Sequence, residues 1–125
     1  MNPSRETLVE IFDAAIAAVD PYHAVLDALN IQGNLLSAAG EIYDLSKFER
    51  ILVVGAGKAA GRMAKAVEEL LGTRISEGLV IVKTGQCIDL EIVEQVEASH
   101  PVPDAAGMEG TRRILGLVEN AKENT

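Results

Sequence analysis

The rhythm of apolar and polar positions changes once along the chain, near residue 51. From Leu8 to Val19 the apolar residues Leu8, Ile11, Phe12, Ala15, Ile16 and Val19 recur at spacings of three and four, one face of a helix. Asn2-Pro3 can start that helix, because proline tolerates the first helical position. Asp20-Pro21 repeats the signal and predicts a second short helix to about Leu29. The stretch "NIQGN" reads as a break, and Glu41 to Leu45 as a short strand or an extended connection. From Ile51 the pattern is different: Ile51-Leu52-Val53-Val54 is a continuous apolar run ending in glycine, as in a strand buried on both faces. A helix from about Lys58 to Leu71 follows, and Gly72 stops it. Gly78 to Val82 predicts a second buried strand, and Ile92, Val93, Val96 and Ala98 a third, less regular one. After the turn "SHPVPD", Asp104 can cap a last helix on which Met108, Thr111, Leu115 and Val118 share a face. The polar tail "ENAKENT" reads as frayed.

This order of elements predicts an α/β protein. The expected architecture is a Rossmann-like three-layer α/β/α arrangement on a mostly parallel sheet, preceded by an N-terminal helical segment. Residues 1–40 form the helical segment and 41–125 a partial Rossmann-like domain. Only three or four strands are visible, and so narrow an open sheet leaves an edge that another strand should cover. The reading is a fragment of a longer protein; a compact domain closed as a homodimer is the alternative.

Composition sharpens this picture. The chain is 48% hydrophobic, without Trp and with two Tyr and two Phe, so the core is aliphatic, as a Val/Ile sheet under Ala- and Leu-rich helices requires. A net charge of −8 argues against nucleic-acid binding through a basic surface. The single Cys87 excludes a disulfide framework and a thiolate metal cluster. The first helix carries acids inside its apolar pattern, so it is neither a signal peptide nor a membrane span. A cytoplasmic location without membrane partners is expected.

Candidate chemistry begins at "ILVVGAGKAAGRMAKAV". After a parallel strand, a tight turn into a helix presents backbone N–H groups at the sheet's carboxyl edge, where anions and phosphates bind. Gly55, Ala56 and Gly57 make such a turn, and Ala60 falls at the third position of G-x-G-x-x-G/A. Dinucleotide binding would need an acid at the end of the second strand for the ribose hydroxyls, and the chain has Lys83-Thr84 there. The ATP-binding P-loop fails as well, with Leu52 in place of its first glycine and Ala59 in place of its hydroxyl residue. Lys58, Arg62 and Lys65 crowd the first half of the helix and Glu68 and Glu69 close it, the reverse of what the helix dipole favours. An anion held at the helix start would reverse the sign of that energy. Alternatively, Lys58 and Arg62 extend into solvent at little cost.

The second cluster is "EASHPVPD". Two prolines bracket Val102 and present His100 rigidly at the end of the third strand, on the sheet edge that carries Lys58 if that strand is parallel. His100 can orient a substrate group or an acid, or serve the turn alone with Asp104 as a helix cap. Cys87, Tyr22 and His23 have no evident partners.

"GAGKAAGRMAKAVEELLG", "GLVIVKTG" and "ASHPVPDAAG", in that order, resemble the glycerate 2-kinase family, the MOFRL-containing glycerate kinases. The resemblance covers most of the chain from about Tyr43 and is weaker in the leading helices. It implies ATP-dependent phosphorylation of D-glycerate to 2-phosphoglycerate with magnesium, in a cleft between a Rossmann-like domain and a second α/β domain. It implies that Lys58 is the active-site lysine, that Gly55 and Gly57 form the turn, and that His100, Pro101, Pro103 and Asp104 form the family's turn motif. Lys83 and Gly85 then border the cleft, and Arg62 has no assigned role. The chain is far shorter than such enzymes, so the ATP site and magnesium ligands are expected beyond Thr125 and the fragment alone is expected to be inactive. The competing readings are an NAD(P)-dependent hydroxypyruvate reductase and a sugar-phosphate isomerase-type domain, which would carry a hydroxyl residue where Ala59 stands.

Overall fold

The structure, a computed structural model, describes residues 4–125, so the Asn2-Pro3 start signal lies outside the described residues. Helix α1 (Arg5–Ala18) is capped by Ser4, whose Oγ accepts the N–H of Thr7 at 3.2 Å. Helix α2 (Pro21–Ala28) starts as its sequence signal predicts, with Pro21 in the first turn and the Asp20 carboxylate accepting from the N–H of His23. No residue of α1 is buried, and its apolar stripe is open to solvent, with Phe12 64% exposed.

The expected break at residues 30–34 is instead the first turn of an antiparallel meander. Strands β1 (Leu29–Gln32), β2 (Leu35–Ala38) and β3 (Glu41–Asp44) pair with Gln32 opposite Leu35 and Ala38 opposite Glu41, so each connection is a two-residue hairpin loop. Gly33 takes φ +60° in the first loop, and Ala39 and Gly40 take +51° and +85° in the second. These are the positive-φ turns whose twist matches paired strands. The segment before residue 40 is therefore helical only to Ala28, and position 40 itself lies in a hairpin turn. Strand β3 is the short strand expected at Glu41 to Leu45, whereas β1 and β2 are too short for alternation to reveal them.

The second sheet is parallel: β4 (Leu52–Ala56), β5 (Glu77–Lys83) and β6 (Glu94–Ala98), in the order β4-β5-β6. Helix α3 (Ala60–Leu71) covers one face and α4 (Ala105–Glu119) the other, giving the expected three layers. On the α3 side Val80 and Val82 pack with Ala60, Ala64 and Leu71, and Ile31 and Leu45 of the meander region lean on the same core. On the α4 side a side chain at Gly110 would stand 2.9 Å from Ile81 Cδ1, so only glycine lets the helix lie this close to the sheet. That contact sets which face of α4 turns inward. Gly107 and Gly110 meet the sheet, whereas Met108, Leu115 and Val118 of the expected shared face are exposed.

The connection from β5 to β6, residues 84–93, contains no helix, so side chains hold its backbone. The buried carboxylate of Glu68 on α3 accepts the N–H groups of Glu91, Ile92 and Val93 at 2.7, 2.9 and 2.8 Å. The Gln95 amide accepts from the N–H of Ile88 and donates to its carbonyl, at 3.0 and 2.6 Å. Burial pushes the Glu68 carboxyl pKa up, but the three N–H donors, aided by Lys65, outweigh that and bring it below 4.5, the ordinary glutamate value.

Strands β4 and β6 are the outer strands of the parallel sheet, and Val54 of β4 is 42% exposed. The tail is not frayed: the Asn124 carbonyl accepts the N–H of Glu49 at 2.9 Å, and Thr125 Oγ1 accepts that of Lys122 at 3.1 Å. Among the described residues no helix is long and apolar enough to cross a membrane.

Glu68→Ala leaves the N–H of Val93 buried without an acceptor and is expected to cost about 2–4 kcal/mol in denaturant unfolding. Because the fold lowers the Glu68 pKa, its ionisation contributes stability that is complete above pH 4.5 and is lost as pH falls through the lowered value. Glu68→Gln is therefore expected to flatten the acid limb of the stability–pH curve, as measured by urea midpoints across that range.

Candidate active site

Three parallel strands place their carboxyl ends on one edge, and the turns that follow build the site there. The N–H of Gly57 donates to the Ile81 carbonyl at 2.9 Å, which extends the ladder one residue past β4. Gly57 then takes φ +117°, a conformation that side chains rarely tolerate, and its carbonyl accepts the N–H of Ala60 at 3.1 Å. Helix α3 thus begins at Ala60 rather than at Lys58, with no side-chain cap. The N–H groups of Lys58 and Ala59 make no backbone hydrogen bond among the described residues. Lys58 lies in the turn, exposed, and makes no ion pair among the described residues.

The two cations of α3 itself are paired with acids. Arg62 donates through Nε and Nη2 to Asp20 Oδ1, at 2.7 and 2.6 Å, which ties α3 to the start of α2. Burial of Asp20 acts against ionisation, but Arg62 and then His23 outweigh it and hold the carboxyl below 3.8. Lys65 approaches Glu69 at 3.8 Å. Tyr22 and His23 do have partners: the Tyr22 hydroxyl donates to Glu69, and His23 Nδ1 lies 2.6 Å from Asp20 Oδ2. The reversed charge order along α3 is thus offset by Asp20 at the start of α2, a contact that no spacing within one helix announces, and by Glu69 four residues after Lys65.

A cleft of about 250 Å³ opens at the carboxyl edge. Ala56 and Gly57 line it from β4, Lys83 from β5, Ser99 and His100 from the turn after β6, and Gly107 and Thr111 from α4. Four of the sequence-selected residues, Ala56, Gly57, Lys83 and His100, therefore meet around one concavity. Lys58 stands outside the lining on the same turn as Gly57. Gly55 and Ala56 lie within β4 rather than in the turn, and an added Cβ at Gly55 would make an ordinary contact with Val80 at 3.5 Å. Asp104 is the N-cap of α4: Oδ1 accepts the N–H of Gly107 at 2.9 Å and Oδ2 that of Ser99 at 3.1 Å. Thr111 escaped the sequence reading as a cleft residue; its hydroxyl donates to the Gly107 carbonyl at 2.8 Å, and only its place one turn after Gly107 could have signalled it.

A larger space of about 580 Å³ lies beside α1, lined by Ile16 and Val19 together with Asp20, His23 and Arg62. Asp20, His23 and Arg62 already pair with one another there, Asp13 adds a further acid to the wall, and the apolar part of the wall is the open stripe of α1. Among the described residues no three His, Cys, Asp or Glu side chains come together as a metal site.

Residues 7–125 match the family described as "Domain of unknown function (DUF4147)". The chain belongs to that family. It is 32% identical over 120 residues to a glycerate 2-kinase of Pyrococcus horikoshii and 36% identical over 121 residues to a D-glycerate 2-kinase of Thermotoga maritima. Each match covers 96% of this chain and 26% of the relative. A protein of Agrobacterium vitis provisionally named as a hydroxypyruvate reductase is 34% identical over 116 residues, with 93% of this chain and 23% of the relative covered. A crystal structure of a protein from Pyrococcus horikoshii superposes with a TM-score of 0.81 at 31% identity, over 99% of this chain and 28% of the other. The chain thus spans about a quarter of the length of these relatives. Its resemblance to glycerate 2-kinases extends through the leading helices and the meander as well as the motifs.

Gly57→Ala places a Cβ at φ +117° with open space around it, so the cost is backbone strain alone. A loss of about 1–3 kcal/mol in denaturant unfolding is expected, whereas Gly33→Asn, at φ +60°, a region asparagine tolerates, is expected to cost less than Gly57→Ala.

Proposed function

We propose that this chain is part of a glycerate 2-kinase that transfers a phosphoryl group from ATP to D-glycerate, and that its cleft receives the anionic substrate. The observation that carries the proposal is the meeting of Gly57, Lys83 and His100 around one concavity, in a chain 32–36% identical to two proteins named glycerate 2-kinases. The chemistry suits that task. Phosphoryl transfer needs positioning and neutralisation of charge spread over several oxygens. Lys58 supplies a mobile cation with no partner of its own among the described residues, next to backbone N–H groups that no other backbone group uses. Lys83 adds a second cation to the cleft wall, and His100 offers a ring nitrogen to a hydroxyl or carboxylate of the substrate.

ATP would supply the phosphoryl group and magnesium its charge neutralisation. The described residues fit neither ligand. They form no cluster of metal-binding side chains, and the glycine turn lacks the lysine–hydroxyl pair of a P-loop. We place both sites in the remaining three quarters of a longer enzyme, in which the open edge of β4 and the bare stripe of α1 would be covered. In that reading the chain alone turns over no ATP. A cytoplasmic enzyme acting on a small soluble acid accords with the absence of a membrane-crossing helix among the described residues.

A second reading, hydroxypyruvate reduction with a nicotinamide cofactor, follows from the name of the Agrobacterium relative. Lys83-Thr84 ends β5 where a ribose-binding acid is needed, which favours the kinase.

Lys58→Met in the full-length protein is expected to lower kcat/KM for D-glycerate at least a hundredfold, about 2.7 kcal/mol of transition-state stabilisation, read as ADP formation in a coupled assay. NADH oxidation with hydroxypyruvate and no ADP formation with glycerate would overturn the kinase assignment.

A further inference from the structure

The segment Ser99–Pro103 carries His100 into the cleft, yet it has little hydrogen bonding of its own. Pro101 and Pro103 have no N–H to give, and the N–H groups of His100 and Val102 make no hydrogen bond among the described residues. The segment is exposed throughout. What anchors it at both ends is one side chain. The Asp104 carboxylate accepts the N–H of Ser99, immediately before His100, and with its other oxygen the N–H of Gly107 in the first turn of α4. The first turn of α4 passes close by: an added Cβ at Gly107 would come into van der Waals contact with Asp104 Oδ1 at 3.4 Å and with Ala98 Cβ at 3.5 Å. Helix α4 is held to the sheet by the close approach of Gly110 to Ile81, so its first turn is a fixed platform.

We propose that Asp104 is a positioning residue: it clamps Ser99, the residue just after β6, to the first turn of α4, thereby seats His100 at the cleft, and does not touch substrate. Both carboxylate oxygens are committed to backbone donors, and a free acid here would repel an anionic guest. Loss of the clamp leaves His100 on a segment joined only through its chain ends, with His100 sampling positions away from the cleft. The kinetic part of this proposal rests on the glycerate kinase reading above; the structural part does not.

The discriminating variant is Asp104→Ser in the full-length protein. A single hydroxyl oxygen can still cap α4 through Gly107 but cannot also reach Ser99. Asp104→Asn, which keeps one carbonyl oxygen for Gly107 and sets an amide donor against the Ser99 N–H, is the second variant should the serine fail to fold. With glycerate and ATP, Asp104→Ser is expected to raise KM for glycerate about tenfold with a smaller change in kcat. In a His100→Gln background the same substitution is expected to change KM less than twofold, because a positioning residue has nothing left to position. Selective 13C labelling of histidine Cε1, with the His100 signal assigned by His100→Gln, supplies a readout independent of the reaction: the signal should broaden or shift in Asp104→Ser. An unchanged His100 signal, or a KM effect of equal size in both backgrounds, overturns the proposal. Absence of kinase activity in the wild type, with the His100 signal still perturbed by Asp104→Ser, would overturn the kinase reading and leave the clamp standing.

Discussion

A carboxylate inside the fold, on Glu68, holds three consecutive backbone N–H groups, and the position of the last strand depends on it. Parallel strands need a crossover, and a crossover is usually a helix that satisfies its own backbone. Between β5 and β6 this chain has an irregular segment instead, whose donors would otherwise be stranded against the α3 face. Glu68 takes those of residues 91–93, and Gln95 serves Ile88. The three donors favour the ionised carboxylate despite its burial. β6 therefore starts from a fixed point on α3, and its far end delivers the His100 turn to the cleft.

The two faces of the parallel sheet are closed by different means. On the α3 face, branched side chains of β5 interlock with the alanines of the helix. On the α4 face, glycine in the helix makes room for Ile81 in the sheet. The second arrangement brings the start of α4 close enough to the end of β6 for one aspartate to reach both. Helix capping and site geometry are thus the same contact. The exposed stripe of α1, the exposed Met108–Leu115–Val118 face of α4 and the open edge of β4 lie outside these contacts. They are the kind of surface that further protein covers, in keeping with a chain that spans about a quarter of its relatives.

Electrostatics along α3 divides by distance from the glycine turn. Arg62 and Lys65 look misplaced against the dipole, yet Asp20 from the start of α2 and Glu69 one turn along the same helix answer them. Lys58 lies in the turn before the helix, where the macrodipole argument weakens and the open N–H groups of the turn lie beside it. Of the cations that break the dipole rule, it is the one left available for a guest among the described residues.

The sequence by itself determined the parallel βαβ core, the glycine turn, the caps at Asp20 and Asp104, and the family. These rest on local rules: continuous apolar runs, a glycine where φ must be positive, an acid before a helix start. It also marked Ala56, Gly57 and His100 as residues to watch, because strand ends in a parallel sheet must share an edge, and the family resemblance added Lys83. Tertiary structure alone decided the rest. Of the meander at residues 29–44 only the last strand was legible, as the short strand or extended connection at Glu41 to Leu45; β1 and β2 carry too little periodicity, although Gly33-Asn34 is a hairpin signal. The inward face of α4 was misjudged because close packing on a sheet favours the small residues Gly107 and Gly110 over the larger Met108 and Leu115. The partners of Arg62, Glu68 and Asp104 lie across the fold or across a turn, and no one-dimensional spacing encodes a hydrogen bond that exists only once the layers are stacked.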